Sequence, residues 1–215
     1  MSDHAAAIAD YIHNLFGAED DALRAARLAP GQNGMPSISV RPEEGRLLHL
    51  LARMIGARKI VEIGVLAGYS GIWLARALPA GGRLYAVECE PKHIRVARES
   101  FRRAGVLDRV DLREGEAHAV LTALSAEGPF DFCFIDADKE SYPVYLDWAL
   151  ANVRPGGVIA AHNALRGGRV VAPESDTDHL IRRFNQRMAE EPRLLSTLVP
   201  MGDGLAVGLV LAPRS

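Results

Sequence analysis

The sequence predicts a doubly wound α/β fold: a mostly parallel sheet of seven strands, helices on both faces, and a C-terminal antiparallel hairpin. Three observations predict it. Lys59-Ile60-Val61-Glu62-Ile63 is a short apolar run rich in β-branched residues; Gly64 and Gly68 follow, then Ser70 to Leu78 with apolar residues at helical spacing. That pattern is a buried strand, a tight glycine turn and a helix. From residue 59 to 162 strand-like and helix-like stretches alternate, which implies parallel strands joined by crossover helices. The last two apolar runs, 194–199 and 205–211, are separated only by Pro200-Met201-Gly202-Asp203-Gly204, a link suited to a hairpin.

In chain order, helices are predicted over 4–16 and 19–28, with Asp20 and Asp21 early in the second, where the helix dipole favours acids. Pro30-Gly31-Gln32-Asn33-Gly34-Met35-Pro36 reads as a loop. Pro42, Glu43 and Glu44 open a third helix whose apolar face is Leu47, Leu48, Leu51 and Met54-Ile55. Strands follow at 59–63, 83–88, 109–113, 130–135 and 158–161, with helices near 69–78, 91–103, 117–126, 140–152 and 176–190. No linker divides the chain, so one domain is expected over 1–215: an N-terminal helical appendage, 1–56, on an α/β core, 57–215.

Hydrophobic residues are 48% of the 215, charged residues 24%, and the net charge is −2, an ordinary globular balance. The basic residues are scattered, and Arg95, Arg98, Arg102 and Arg103 read as a solvated helix face; no nucleic-acid or membrane partner is expected. Cys89 and Cys133 do not form a metal-spaced pair, which points to a reduced, cytoplasmic protein. The N-terminus has no basic leader, and no apolar run is long enough to span a bilayer.

Ligands of such sheets bind beyond the carboxyl ends of the strands. The residues there are Glu62–Gly64, Glu88, Glu116, Asp136–Lys139 and His162-Asn163, all polar or small. Gly64-x-x-x-Gly68 lacks the Gly-x-Gly-x-x-Gly spacing of a dinucleotide fold, which disfavours a nicotinamide dehydrogenase. Glu62, at the strand end, suits a cationic ligand better than a pyrophosphate; S-adenosylmethionine has an ammonium, a sulfonium and no phosphate. Glu88, 20 residues after Gly68, is placed to accept a ribose diol, and Gly115-Glu116-Ala117 to address adenine. Asp136-Ala137-Asp138-Lys139 offers a carboxylate pair for a hard cation and a lysine for proton transfer, or an acid that caps the next helix. His162 and Asn163 are both possible metal ligands.

These residues resemble the cation-dependent O-methyltransferases related to the caffeoyl-CoA and catechol enzymes, which share the Rossmann-like fold. The resemblance rests on Val61-Glu62-Ile63-Gly64 with Ala67-Gly68-Tyr69-Ser70, on Phe134-Ile135-Asp136-Ala137-Asp138-Lys139 with Tyr142, on Arg154-Pro155-Gly156-Gly157 and on Pro200-Met201-Gly202-Asp203-Gly204. It implies methyl transfer from S-adenosylmethionine to a phenolic hydroxyl, usually one of a vicinal diol, in a homodimer. By resemblance Val40, Glu62, Gly64 and Ser70 contact the methionine end of the cofactor, and Gly68 and Asp136 also belong to the cofactor site. Glu88 holds the ribose, and Glu116 and Ala117 the adenine. Asp136, His162 and Asn163 bind a divalent metal, and Lys139 takes the phenol proton.

One position departs from the family pattern: His162 stands where an aspartate is usual. Replacing a hard, charged oxygen by imidazole shifts the expected metal from Mg²⁺ toward Mn²⁺, Fe²⁺, Co²⁺ or Zn²⁺. Two alternatives stay open. One is a metal-independent O- or N-methyltransferase with His162 as general base. The other is a non-catalytic homologue that binds S-adenosylmethionine.

Overall fold

The computed structural model describes residues 3–213; the expected domain bounds also span Met1, Ser2, Arg214 and Ser215, which lie outside them. The strands are β1 (Lys59–Ile63), β2 (Arg83–Glu88), β3 (Val110–Glu114), β4 (Phe130–Ile135), β5 (Val153–Ala161), β6 (Leu194–Val199) and β7 (Leu205–Val210). They form one sheet in the order β3-β2-β1-β4-β5-β7-β6. β1 to β5 pair in parallel; β7 runs antiparallel to both β5 and β6. The fold class is the expected Rossmann-like one.

Helices α1 (Asp3–Phe16), α2 (Asp21–Gln32), α3 (Pro42–Met54), α4 (Tyr69–Ala77), α5 (Pro91–Arg103), α6 (Ala117–Leu124), α7 (Tyr142–Asn152) and α8 (Asp176–Glu190) complete the chain. Successive strand residues point to opposite faces, and both faces are buried. Ile60, Leu84, Phe132, Phe134 and Ala160 pack with Leu48 of α3, Ile72 of α4 and Phe101 of α5. Val61, Ile63, Val87, Cys133 and Ile159 pack on the other side with Leu121 of α6, Leu146 of α7 and Ile181 of α8. Leu23 and Ala26 of α2 and Ala52 of α3 belong to the first of these cores.

Two boundaries differ from the sequence-based expectation by more than two residues. α2 runs through Pro30 and Gly31 to Gln32 rather than ending at 28. Pro30 is buried, and Asn33 closes the helix with its backbone N–H (3.1 Å) and its side-chain amide (2.8 Å) both on the Ala29 carbonyl, so packing and a cap override the local breakers. β5 begins at Val153, not 158: Val153 pairs with Phe130, Val158 pairs with Phe132, and Arg154–Gly157 form a bulge between them. A Cβ on Gly157 would sit 2.7 Å from the Asp131 carbonyl, which keeps that position glycine.

α3 lies directly on α4. A Cβ on Gly45 would fall 2.3 Å from Trp73 Cδ1, in the body of the indole rather than at a flexible tip. Gly45→Ala is therefore expected to lower stability by about 1–3 kcal/mol through overpacking. The midpoint of urea unfolding checks it, and an unchanged midpoint would show that α3 shifts freely on α4.

Candidate active site

A cleft of about 510 Å³ opens beyond the carboxyl ends of β1, β2, β4 and β5. It sits where the strand order reverses between β1 and β4, the usual ligand position of a doubly wound sheet. Of the residues singled out in the sequence, Val40, Gly64, Ser70, Glu88, Glu116, Ala117, Asp136, Lys139 and Asn163 border it. Glu62, Gly68 and His162 do not.

The floor is the glycine turn. Gly64 has φ +88°, and a Cβ there would lie 2.1 Å from the Asp136 backbone carbonyl, so only glycine lets the ends of β1 and β4 approach. Gly68, at φ +84°, is the N-cap of α4; its backbone abuts Phe101 and supports the turn from below the cleft.

Glu62 corrects an expectation. It is fully buried on the α4 side of β1, where its Oε1 accepts a hydrogen bond from Ser70 Oγ (2.5 Å) and its Oε2 has no partner. Burial raises its pKa to about 8, with the nearby Asp136 and Glu88 charges adding to the rise against the Ser70 bond. It does not border the cleft. Ser70 is the group that reaches the cleft, with Glu62 behind it.

Glu88 borders the cleft as expected, but it also organises the turn. Its Oε2 accepts from the N–H groups of Val65 (3.1 Å) and Leu66 (2.9 Å), and its Oε1 from those of Cys89 (3.0 Å) and Glu90 (3.1 Å). Leu66 sits in the left-handed region at φ 52°, a conformation this carboxylate helps to hold. Glu116 is the N-cap of α6, and Ala117 is its first residue.

The other end of the cleft is a chain of alternating charges. Glu44, in the first turn of α3, contacts His162 Nε2 through Oε1 (3.1 Å). His162 Nδ1 lies 3.3 Å from Asp136 Oδ2, an ion-pair distance without an aligned hydrogen bond. Asp136 Oδ1 accepts from Lys139 Nζ (3.2 Å). Lys139 also donates to the Ala137 carbonyl (2.9 Å) and the Tyr142 hydroxyl (2.7 Å). Burial opposes charge on His162, but the Asp136 and Glu44 carboxylates overcome it and raise the imidazole pKa to about 10. Burial likewise opposes ionisation of Asp136, and His162 and Lys139 together hold its pKa below the usual carboxylate value.

The geometry around His162 favours neither of its expected roles. Its ring is buried beneath the cleft with a carboxylate at each nitrogen, so no lone pair is free to ligate a metal or take a substrate proton. Asp136 offers its two oxygens to two cations. Asn163, at φ 56°, borders the cleft but donates its amide to Asp203 Oδ2 (2.9 Å). Among the described residues no group of three or more His, Cys, Asp or Glu is arranged around a metal position. The residues present do not fit a divalent cation. Asp138 takes the capping role: it accepts from Ser141 N (3.2 Å) and from the Tyr145 hydroxyl (2.6 Å).

Three participants were missed in the sequence. Glu44 was read as a first-turn acid, yet its Oε2 accepts from Arg41 N (2.7 Å) and its Oε1 reaches His162. A Cβ on Gly202 would overlap Glu44, so the hairpin glycine makes its space. Asp203 was read only as a turn residue, and Arg166 was not singled out. The single available signal was the Gly202-Asp203-Gly204 motif, which was read as a hairpin link and a point of resemblance rather than as part of the site.

A glycine-turned cleft at the switch point, carrying charged groups at one end and an acid-anchored turn at the other, is a small-molecule site on a doubly wound sheet. A family model described as O-methyltransferase matches residues 16–211. Catechol O-methyltransferase of Niastella koreensis is 45% identical, covering 93% of this chain and 95% of that one. Catechol O-methyltransferase of Mycobacterium tuberculosis is 42% identical, covering 93% of each. Among solved structures, an O-methyltransferase from Bacillus cereus in complex with SAH superposes with a TM-score of 0.87 at 39% identity, over 95% of this chain and 97% of that one. TomG of Streptomyces achromogenes, in complex with SAM, superposes with a TM-score of 0.88 at 37% identity, over 96% of each. The chain belongs to the O-methyltransferase family. The family's reaction is methyl transfer from S-adenosylmethionine to oxygen, and this protein is an enzyme of that class.

Glu62 makes stability depend on pH in a defined direction. Its folded pKa, about 8, lies above its unfolded value of 4.5, so the native state holds a proton the unfolded state has lost. Its contribution is most favourable below pH 4.5 and declines until about pH 8, by at most about 1.4 kcal/mol per pH unit. Urea unfolding at about pH 5 and about pH 8 is expected to show this decline in the parent and a smaller one in Glu62→Gln. Equal slopes in the two proteins would assign the pH dependence to other groups.

Proposed function

We propose that the protein transfers the methyl group of S-adenosylmethionine to one hydroxyl of a catechol-type acceptor, using its own fixed cations rather than a divalent metal. The substrate class follows the two relatives named as catechol O-methyltransferases. The observation that carries the metal-free form is the pairing of both Asp136 oxygens with Lys139 and His162.

In this reading the cofactor lies along the cleft. Ser70, Val40 and Gly64 border its methionine portion, the Glu88 turn its ribose, and Glu116 and Ala117 its adenine. The sulfonium methyl is already activated, so the protein supplies alignment and a nucleophilic oxygen. The S–CH₃ bond breaks as the O–CH₃ bond forms, S-adenosylhomocysteine leaves, and the phenol proton goes to solvent.

Lys139 was expected to take that proton. Its three hydrogen bonds run to the Asp136 carboxylate, the Ala137 carbonyl and the Tyr142 hydroxyl, which favours a donor role over that of a base. It acts instead as a positive charge that favours the phenolate as the proton departs. Two finer expectations also have support. Exposed apolar side chains on α1 (Tyr11, Leu15, Phe16) and Met54 of α3 favour a homodimer. Free Cys89 and Cys133 suit the reducing cytoplasm, and among the described residues no helix is long and apolar enough to cross a membrane.

Two measurements test the mechanism. Lys139→Ala is expected to lower kcat by about 10²–10³-fold, whereas Lys139→Arg, which keeps the charge and cannot act as a base, stays within about tenfold of the parent. An arginine variant as inactive as the alanine variant would return Lys139 to the role of base. Turnover of catechol is also expected to persist in excess chelator; loss that Mg²⁺ or Co²⁺ restores would overturn the metal-free reading.

A further inference from the structure

The loop after β5 holds an arginine that neither the cofactor site nor the charge chain uses. Arg166 borders the cleft at the end lined by Asp136, Lys139 and Asn163. Its backbone is left-handed, φ 51°, which is uncommon for a residue with a side chain. Gly167 and Gly168 continue the turn at φ 62° and 91°. Asp203 holds the loop in this shape: its side chain accepts from the Asn163 amide and from Gly167 N, and its backbone carbonyl accepts from Leu165 N (2.8 Å). A strained, externally braced residue at a cleft edge is where function is to be sought.

The guanidinium is oriented from behind. Arg166 Nε donates to Asp178 Oδ1 (3.2 Å), and Arg169 Nε donates to the same oxygen (3.3 Å). Asp178 is 1% exposed and heads α8 as part of its Ser175 cap. One buried carboxylate thus faces two guanidinium groups, leaving one positive charge unmatched. The terminal nitrogens of Arg166 have no hydrogen-bond partner among the described residues. The other charges at this end are committed: Asp136 to Lys139 and His162, Asp138 to Ser141 N and Tyr145, and Asp203 to the loop amides.

We propose that Arg166 is a specificity-determining residue that selects methyl acceptors carrying a carboxylate on the catechol ring or its side chain. A planar guanidinium with both terminal nitrogens free matches a carboxylate in a bidentate fork, and a neutral or cationic substituent gains nothing from it. The inference rests on the catechol reading above and adds the charge of the acceptor.

The test compares kcat/KM for three acceptors: catechol, 3,4-dihydroxybenzoate and 3,4-dihydroxybenzylamine. The parent is expected to prefer the acid over the amine. Arg166→Gln is expected to lower the ratio of acid to neutral catechol by about tenfold or more, the worth of a charge-assisted pair. Arg166→Lys, which keeps charge without the fork, is expected to fall between. Titration with S-adenosylmethionine establishes that each variant is folded. A parallel fall for all three acceptors, or an unchanged ratio, would overturn the proposal and leave Arg166 as a brace for α8. Should the parent turn over none of them, the catechol reading fails separately. Calorimetric binding of 3,4-dihydroxybenzoate to the S-adenosylhomocysteine complex then makes the same comparison, and equal affinity in parent and Arg166→Gln overturns the inference.

Discussion

The chain Glu44–His162–Asp136–Lys139 ties the structure together. Two carboxylates and two cations alternate from the first turn of α3, across the ends of β5 and β4, to the cleft. Burying such groups costs heavily unless each charge faces its opposite, and removing one member strands its neighbours. The ladder therefore fixes where α3 meets the sheet as well as what the cleft contains. Gly202 yields space for Glu44, and Gly45 yields space for Trp73, so α3 is seated at both its polar and its apolar contact.

The strand ends carry acids with different fates, and environment separates them. Glu62 has burial and a hydroxyl, and is driven toward the neutral form. Asp136 is 19% exposed and faces two cations, and is driven toward the charged one. Glu88 accepts four backbone N–H groups and spends its charge on shaping the turn. A count of acids along the strand ends would treat them as equivalent.

The acceptor end differs from a metal centre in a physical sense. A divalent ion concentrates charge at a point and needs several free oxygen or nitrogen donors. Here the positive charge is spread over His162, Lys139 and Arg166, each already positioned by a carboxylate. Such cations are preorganised, and in the proposed reading Lys139 and Arg166, which border the cleft, act on an anion by field and hydrogen bonding rather than by coordination.

The sequence by itself determined where the seven strands lie, apart from the start of β5, their parallel orientation up to the hairpin, the glycine turn at residues 64–68 and the edge on which polar residues gather. These follow from local rules: side-chain periodicity, turn chemistry and the crossover rule. What only the tertiary structure decided is which way side chains face and which distant ones meet. Both faces of β1 are buried, so alternation could not show that Glu62 points to α4 and away from the cleft. Glu44 lies 118 residues from His162, and Asp203 lies 40 from Asn163. Those pairings arise only when α3 and the last hairpin pack against the sheet, and they turned a histidine read as metal ligand or base into a buried cation.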